Sequence, residues 1–172
     1  VLIKFLYDGY SMPTATLRPE TIFGVTNIWL NPESQYSRVS MGGERWIVSR
    51  ETVEKLHHLN RSVVEEGVIE GKDMIGKCAE NPMTGAKIPI LPASFVDPKS
   101  GTGIVMSVPG HAPYDLQALE DLKADLSSLS QHGIEAEVVR SLNAISIIKS
   151  EGYGEVPAYD VVKRKGIRNQ KD

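Results

Sequence analysis

Residues 2–8 alternate weakly between apolar and polar side chains, the period of a half-buried strand. Ser11 to Thr14, with Pro13 inside it, has the composition of a turn, and Thr14-Ala15-Thr16-Leu17 returns as a short strand. Pro19 suits the first position of a short helix that Gly24 closes. Asn27 to Leu30 reads as a strand ended by Asn31-Pro32. Arg38 to Ser49 has the pattern of a hairpin around Gly42-Gly43, with Trp46-Ile47-Val48 in the return strand. Ser49 is placed to cap a helix over residues 51–59, with Glu51 and Glu54 near its positive end. Ser62 to Ile69 and Lys72 to Ala79 read as strands, and Asn81-Pro82-Met83-Thr84-Gly85 as the turn before apolar Ile88-Pro89-Ile90-Leu91. Gly103 to Val108 reads as a buried strand. A helix follows from Pro113 to Leu129, with Leu116, Leu119, Leu122, Leu126 and Leu129 close to one face. Val138-Val139 is a last short strand, and Pro157 opens a final helix to about Lys165.

Many short strands with a few helices between them do not make the regular alternation of a doubly wound parallel sheet. The pattern predicts an α+β protein, a mixed β-barrel core with peripheral helices, closed or nearly so to protect its strand edges. No internal repeat is present. The expected organisation is one domain over residues 1–172, with 157–172 starting a basic connecting segment.

Composition narrows the function classes. No apolar run approaches the ~18 residues of a membrane span. The apolar start Val1-Leu2-Ile3-Lys4-Phe5-Leu6 lacks a basic leader region and reads as a strand rather than a signal peptide. The absence of a starting Met suggests a piece of something longer. A net charge of −3 excludes a free-standing polyanion binder, which carries a basic excess. The basic cluster Lys163, Arg164, Lys165, Arg168 and Lys171 reads as a solvated helix end. The single Cys78 excludes an internal disulfide and a multi-cysteine zinc site; it is expected as a small half-buried strand residue. His57 and His58, adjacent on one helix, face different directions and make a poor metal site. His132 suits a helix C-terminus. Gly101-Thr102-Gly103 lacks the third glycine and the following helix of a dinucleotide loop.

Two segments carry candidate chemistry. In Thr16-Leu17-Arg18-Pro19-Glu20-Thr21 a strand runs into a helix start, where free backbone N–H groups lie beside two hydroxyls and a guanidinium. Ordinary capping explains the same residues. In Gly101-Thr102-Gly103-Ile104-Val105-Met106-Ser107-Val108-Pro109-Gly110-His111-Ala112-Pro113-Tyr114-Asp115, two glycines allow close backbone approach, and the strand delivers His111 and Asp115 to a helix N-terminus. Asp115 can bind a ligand ammonium there, or serve as a structural first-turn acid.

Together the two segments resemble the threonine-rich region and the Gly-Thr-Gly-to-Asp region of the editing domains inserted in leucyl-, valyl- and isoleucyl-tRNA synthetases. The resemblance spans roughly residues 1–160. Val105-Met106-Ser107-Val108-Pro109-Gly110-His111 looks most like the leucyl branch, and Ala112-Pro113-Tyr114-Asp115 archaeal or eukaryotic in style. The chain departs from the bacterial leucyl pattern at Ala112, where an acid is usual, and at Leu17, where threonine is usual. The valyl and isoleucyl siblings, and a non-catalytic module that binds the tRNA 3′ end, stay open as alternatives.

The resemblance implies a fragment of a larger cytoplasmic synthetase, monomeric and unattached to membrane. It implies deacylation of mischarged leucine tRNA, carrying isoleucine, methionine or norvaline, by water attack on the ester. Size alone discriminates aliphatic side chains only 10–200-fold per methylene, which is why a second, hydrolytic sieve is needed. The implied roles put Asp115 on the α-ammonium group and Thr21 and Val108 in the slot that rejects leucine. Thr16 and Arg18 hold the terminal adenosine and the water. His111 is either a general base or an orienting residue, and Leu17, Met106 and Tyr114 complete the substrate wall. The partners implied are the 3′ end of aminoacylated tRNA(Leu) and the rest of the synthetase. No metal or cofactor is implied for this domain, ATP and Mg being used by the synthetic domain, whose two ATP-site signatures are absent here.

Overall fold

The computed structural model describes residues 1–59 and 62–169, and of Leu126 the backbone alone. The chain gathers into two compact units, Val1–Pro19 with Ile28–Met106, and Glu20–Asn27 with Ser107–Asp172.

The strands are β1 (Leu2–Tyr7), β2 (Tyr10–Ala15), β3 (Asn27–Leu30), β4 (Gln35–Met41), β5 (Glu44–Ser49), β6 (Val63–Glu70), β7 (Cys78–Glu80), β8 (Lys87–Pro92) and β9 (Val105–Ser107). They join in the order β6-β4-β5-β2-β1-β7-β8-β3-β9. Pairing is mixed: β2 runs parallel to β5 and β3 to β8, whereas β1–β2, β1–β7, β4–β5, β4–β6 and β7–β8 are antiparallel. The fold is therefore α+β with a large mixed sheet and peripheral helices, as the pattern predicts. The expected closure is corrected: the sheet is open, with β6 and β9 at its ends. Strand β6 manages its edge without closure, because a bulge beside Arg38 and Val39 breaks the register and Glu65, Glu66 and Glu70 line it.

In the first unit, helix α1 (Arg50–His58) is capped by Ser49, whose Oγ accepts from Thr52 N at 3.3 Å. Val53 and Leu56 of that helix pack with Val39, Met41, Trp46 and Val48. Burying each such side chain contributes about 1.5–3 kcal/mol. Phe5, Met12, Trp29, Tyr36 and Ile47 are fully buried. The Gly101-Thr102-Gly103 turn belongs to this scaffold. Thr102 Oγ1 donates to Pro13 O at 2.5 Å, and Ser49 N donates to Thr102 O at 3.0 Å. A methyl group on Gly103 (φ +72°) would stand 2.5 Å from Ser49 Cβ. The close approach that the two glycines allow is thus, at Gly103, an approach to Ser49.

The second unit is helical: α3 (Pro113–Ala124), α4 (Leu126–Gln131), α5 (Ala136–Arg140) and α6 (Pro157–Lys165). Its buried apolar residues include Leu116, Leu119, Leu122, Leu129, Ile134, Val139 and Ala158. Helix α6 ends on Gly166 in the left-handed conformation (φ 67°). Its Arg164 donates to Gly152 O at 2.6 Å and stacks on Tyr153, so this member of the basic cluster is partly engaged. Lys171 lies outside the described residues.

Five local expectations are corrected. The turn expected at Ser11–Thr14 falls instead at Asp8-Gly9, both at positive φ (51° and 76°), which closes a tight hairpin. Pro13 lies inside β2, opposite Lys4. Val1 and Thr16 exchange both backbone hydrogen bonds, so by alternation Lys4–Pro13 is a pair that needs no proline N–H. Lys72–Ala79 is not one strand: Gly71–Met74 forms a helical turn, α2, before β7. The helix expected over Pro113–Leu129 breaks at Asp125, whose carboxylate accepts from Ser128 N at 3.0 Å and caps α4. Its bonds to the Ser127 hydroxyl and the Ser128 amide hold that carboxyl below its usual range. Val138-Val139 is helical, within α5, because Val139 turns into a helical core. Cys78 is in a strand as expected but exposed rather than half-buried.

Candidate active site

The second unit holds Thr21, Val108, His111, Tyr114 and Asp115; the first holds Thr16, Leu17, Arg18 and Met106.

The 3-10 turn Pro19–Gly24, which belongs to the second unit from Glu20 onward, buries Thr21, Ile22 and Gly24. The turn is short because Gly24 ends it against neighbouring backbone. A methyl group on Gly24 would stand 3.3 Å from Val108 Cγ1 and 3.4 Å from Ile145 O. Just beyond, Thr26 N donates to Ser107 O at 3.1 Å. The Thr21 turn is thereby held to the segment that carries Val108. Asn27 Nδ2 and Ser107 Oγ are buried at this junction without a hydrogen-bond partner in the protein, a costly state that makes it locally polar.

Asp115 stands in the first turn of α3 and is 8% exposed. Ala112, at the N-cap, offers no side-chain bond. The positive end of the helix favours the nearby negative charge. Asp115 Oδ2 accepts from Val108 N at 2.8 Å, closing the loop between β9 and α3. Backbone bonds from His111 N and Ala112 N to Val108 O tighten the same loop. Val108 is buried and Tyr114 is 51% exposed. His111 is half-buried, and its Nε2 accepts from Ile147 N at 2.9 Å.

In the first unit, Thr16 Oγ1 accepts from Arg18 N at 3.0 Å, a local hydroxyl turn that shapes the backbone before Pro19. The same hydroxyl keeps its own proton to donate. Leu17 is 98% exposed, and with Val1, Leu2, Ala15 and Thr16 it lines an apolar recess of about 300 Å³. Arg18 is exposed, and Met106 is buried in β9. A larger polar recess of about 510 Å³, lined by Glu33, Arg50, Glu51, Glu54, His57 and Glu65 among others, contains none of the residues to which the resemblance gives a role. No cluster of three or more potential metal ligands occurs among the described residues.

Sequence reasoning missed Gly110 and the segment around Ile145–Ile148. Gly110 is packed so closely that a methyl group there would stand 2.1 Å from Ile145 O. Its position between Pro109 and His111 was the available signal. The Ile145 segment has no regular structure and offered none.

An acid fixed at a helix start, a buried threonine turn beside it and a mixed α+β scaffold define the class of inserted synthetase editing domains. A family model described as "Leucyl-tRNA synthetase, editing domain" matches residues 2–138. Leucine–tRNA ligases of Methanothermobacter thermautotrophicus and Pyrococcus furiosus are 49% and 48% identical to this chain, over 99% and 100% of it. The chain spans about a fifth of the length of these relatives, 18% and 19%. Among solved structures, the cytosolic leucyl-tRNA synthetase editing domain of P. knowlesi superposes with a TM-score of 0.86 at 17% identity, over 99% of this chain and 77% of that one. That of P. falciparum gives 0.85 at 18%, over 96% and 63%. The chain belongs to the leucyl-tRNA synthetase editing-domain family, and its relatives place it on the archaeal side. No helix among the described residues is long and apolar enough to cross a membrane.

Proposed function

We propose that this chain is the hydrolytic sieve of a leucine–tRNA ligase, removing isoleucine, methionine or norvaline from mischarged tRNA(Leu). The observation that carries this reading is the Asp115 carboxylate. It is nearly buried, fixed at the start of α3, and tied by Oδ2 to the loop amide of Val108. Such a group holds an ammonium ion in a defined place, and a charged hydrogen bond of that kind contributes about 1.5–3 kcal/mol. Every aminoacyl ester carries that α-ammonium group beside the carbonyl to be attacked.

With the ammonium held, water adds to the ester carbonyl and the ribose hydroxyl leaves, giving free amino acid and intact tRNA. An ester is reactive enough that positioning and support of the oxyanion suffice without a covalent nucleophile. Thr21 and Val108 shape the side-chain slot so that leucine is excluded by steric clash. Tyr114, in the same unit, walls the substrate. The 3′ end of the tRNA and the remainder of the ligase are the partners. With a net charge of −3, most of the phosphate attraction comes from outside this chain.

The test is a panel of charged tRNAs presented to the full-length protein. The reading expects release of isoleucine from isoleucyl-tRNA(Leu) and none of leucine from leucyl-tRNA(Leu). Preferred release of threonine from threonyl-tRNA(Val) would assign the chain to the valyl sibling. Tight binding of a nonhydrolysable aminoacyl-adenosine with no ester turnover would make it a non-catalytic module.

A further inference from the structure

Residues 142–147, and those around them up to Ser150, form neither helix nor strand, yet they are anchored at three points within the second unit. At Gly110, a methyl group would stand 2.1 Å from Ile145 O, and the glycine φ lies outside the left-handed region. Glycine is therefore demanded there by proximity alone. At His111, Nε2 accepts from Ile147 N at 2.9 Å and lies 3.4 Å from Ile148 N. At Gly24, which ends the Thr21 turn, a methyl group would meet Ile145 O at 3.4 Å and Ile147 Cγ2 at 3.5 Å. One segment thus touches both the turn carrying Thr21 and the loop joining Val108 to Asp115.

We infer that this segment is a strap that sets the position of the acid-bearing loop, and that His111 is a positioning residue for it rather than a base. A base needs a free lone pair. The Nε2 lone pair is engaged by backbone N–H, which requires a neutral ring with its proton on Nδ1. Loss of the strap leaves the loop from Val108 to Asp115 anchored at fewer points, and small displacements of a bound reactant are costly in rate. The matched region of the family model ends at residue 138, before the strap begins.

This inference rests on the editing reading, and two measurements separate them in the full-length protein: amide hydrogen exchange at 147–148, and kcat and KM for isoleucyl-tRNA deacylation. His111→Ala and Ile147→Pro, which remove the acceptor and the donor, should each speed exchange or abolish the bond and lower kcat about 10- to 100-fold with little change in KM. The double variant should be no worse than either alone. His111→Gln, which restores an acceptor oxygen, should recover most of the rate. Gly110→Ala should act in the same direction by pushing Ile145 away, and Ile147→Ala, which keeps its N–H, should be mild. If His111→Gln is as inactive as His111→Ala while Ile147→Pro retains full kcat, His111 is a base and the strap proposal is wrong. Unchanged exchange at 147–148 in His111→Ala overturns it as well. A wild-type protein that deacylates nothing, yet loses 147–148 protection in His111→Ala, removes the editing reading and supports the strap.

Discussion

Val108 and Asp115 are joined by a hydrogen bond of 2.8 Å, backbone N–H to carboxylate, that closes the loop entering α3. The carboxylate therefore has two separable properties, an acceptor oxygen that shapes the loop and a charge that the proposed substrate uses.

Asp115→Asn separates them. The amide oxygen can still accept from Val108, so thermal stability should change little. Loss of the charged contact should cut isoleucyl-tRNA deacylation roughly 10- to 150-fold, the equivalent of about 1.5–3 kcal/mol. Asp115→Ala removes both properties, and leaving the Val108 N–H unpaired should cost about 1–3 kcal/mol of stability in addition. Steady-state deacylation and urea unfolding of the two variants check this. Wild-type turnover in Asp115→Asn would remove the ammonium contact.

Thr21 is buried in the Pro19–Gly24 turn, so its size is felt by whatever enters beside it. Thr21→Ala should open the slot and allow hydrolysis of leucyl-tRNA(Leu). Thr21→Val, which keeps the shape and removes the hydroxyl, should still spare it. Release of labelled leucine from the charged tRNA distinguishes steric from polar selection.

Tyr36 predicts a pH effect in the scaffold. Its hydroxyl donates to Gly103 O at 3.0 Å and accepts from Asn31 N at 3.2 Å, deep in the first unit. Burial pushes the phenol up to about 12 from 10.0. The folded state thus retains a proton that the unfolded chain gives up. Stability from this group is full below pH 10 and is lost as pH rises towards 12, by about 3 kcal/mol in all. Tyr36→Phe should be less stable at neutral pH, because Asn31 N and Gly103 O lose a partner, and should show a shallower decline above pH 10. Urea midpoints across pH 8–12 test the sign.

Gly103→Ala should destabilise the scaffold by about 2–5 kcal/mol. The left-handed φ costs about 1–2 kcal/mol for an L residue, and overpacking against Ser49 about 1–3. A urea midpoint close to that of the wild type would show that Ser49 and the helix it caps can move aside.

Much of the architecture was legible in the chain. The hairpin around Gly42-Gly43, the Ser49 cap, the 3-10 turn from Pro19 to Gly24 and the start of α3 at Pro113 all appear where local chemistry places them. The errors arose where local signals competed. Asp8-Gly9 was the stronger turn signal, yet Pro13 drew the turn to itself, since a proline in a strand is tolerated only where the ladder needs no N–H. Asp125 looked like one more polar residue in a leucine-striped helix, but its carboxylate ends α3 and caps α4. Val138-Val139 has strand character by residue type, which packing overrode.

The candidate site divides along the same line. The chain alone determined which residues bear charge and hydroxyls, their order, the helix start that suits an acid at 115, and the family resemblance that these motifs carry, because all of these depend on neighbours in sequence. Only the tertiary structure decided that Asp115 is tied to Val108, that His111 spends its lone pair on Ile147, and that Gly110 makes room for the Ile145 backbone. The physical reason is range. A cap or a turn is settled within a few residues, whereas a hydrogen bond between His111 and Ile147 joins positions with no local pattern in common. Only the packed chain brings them within reach.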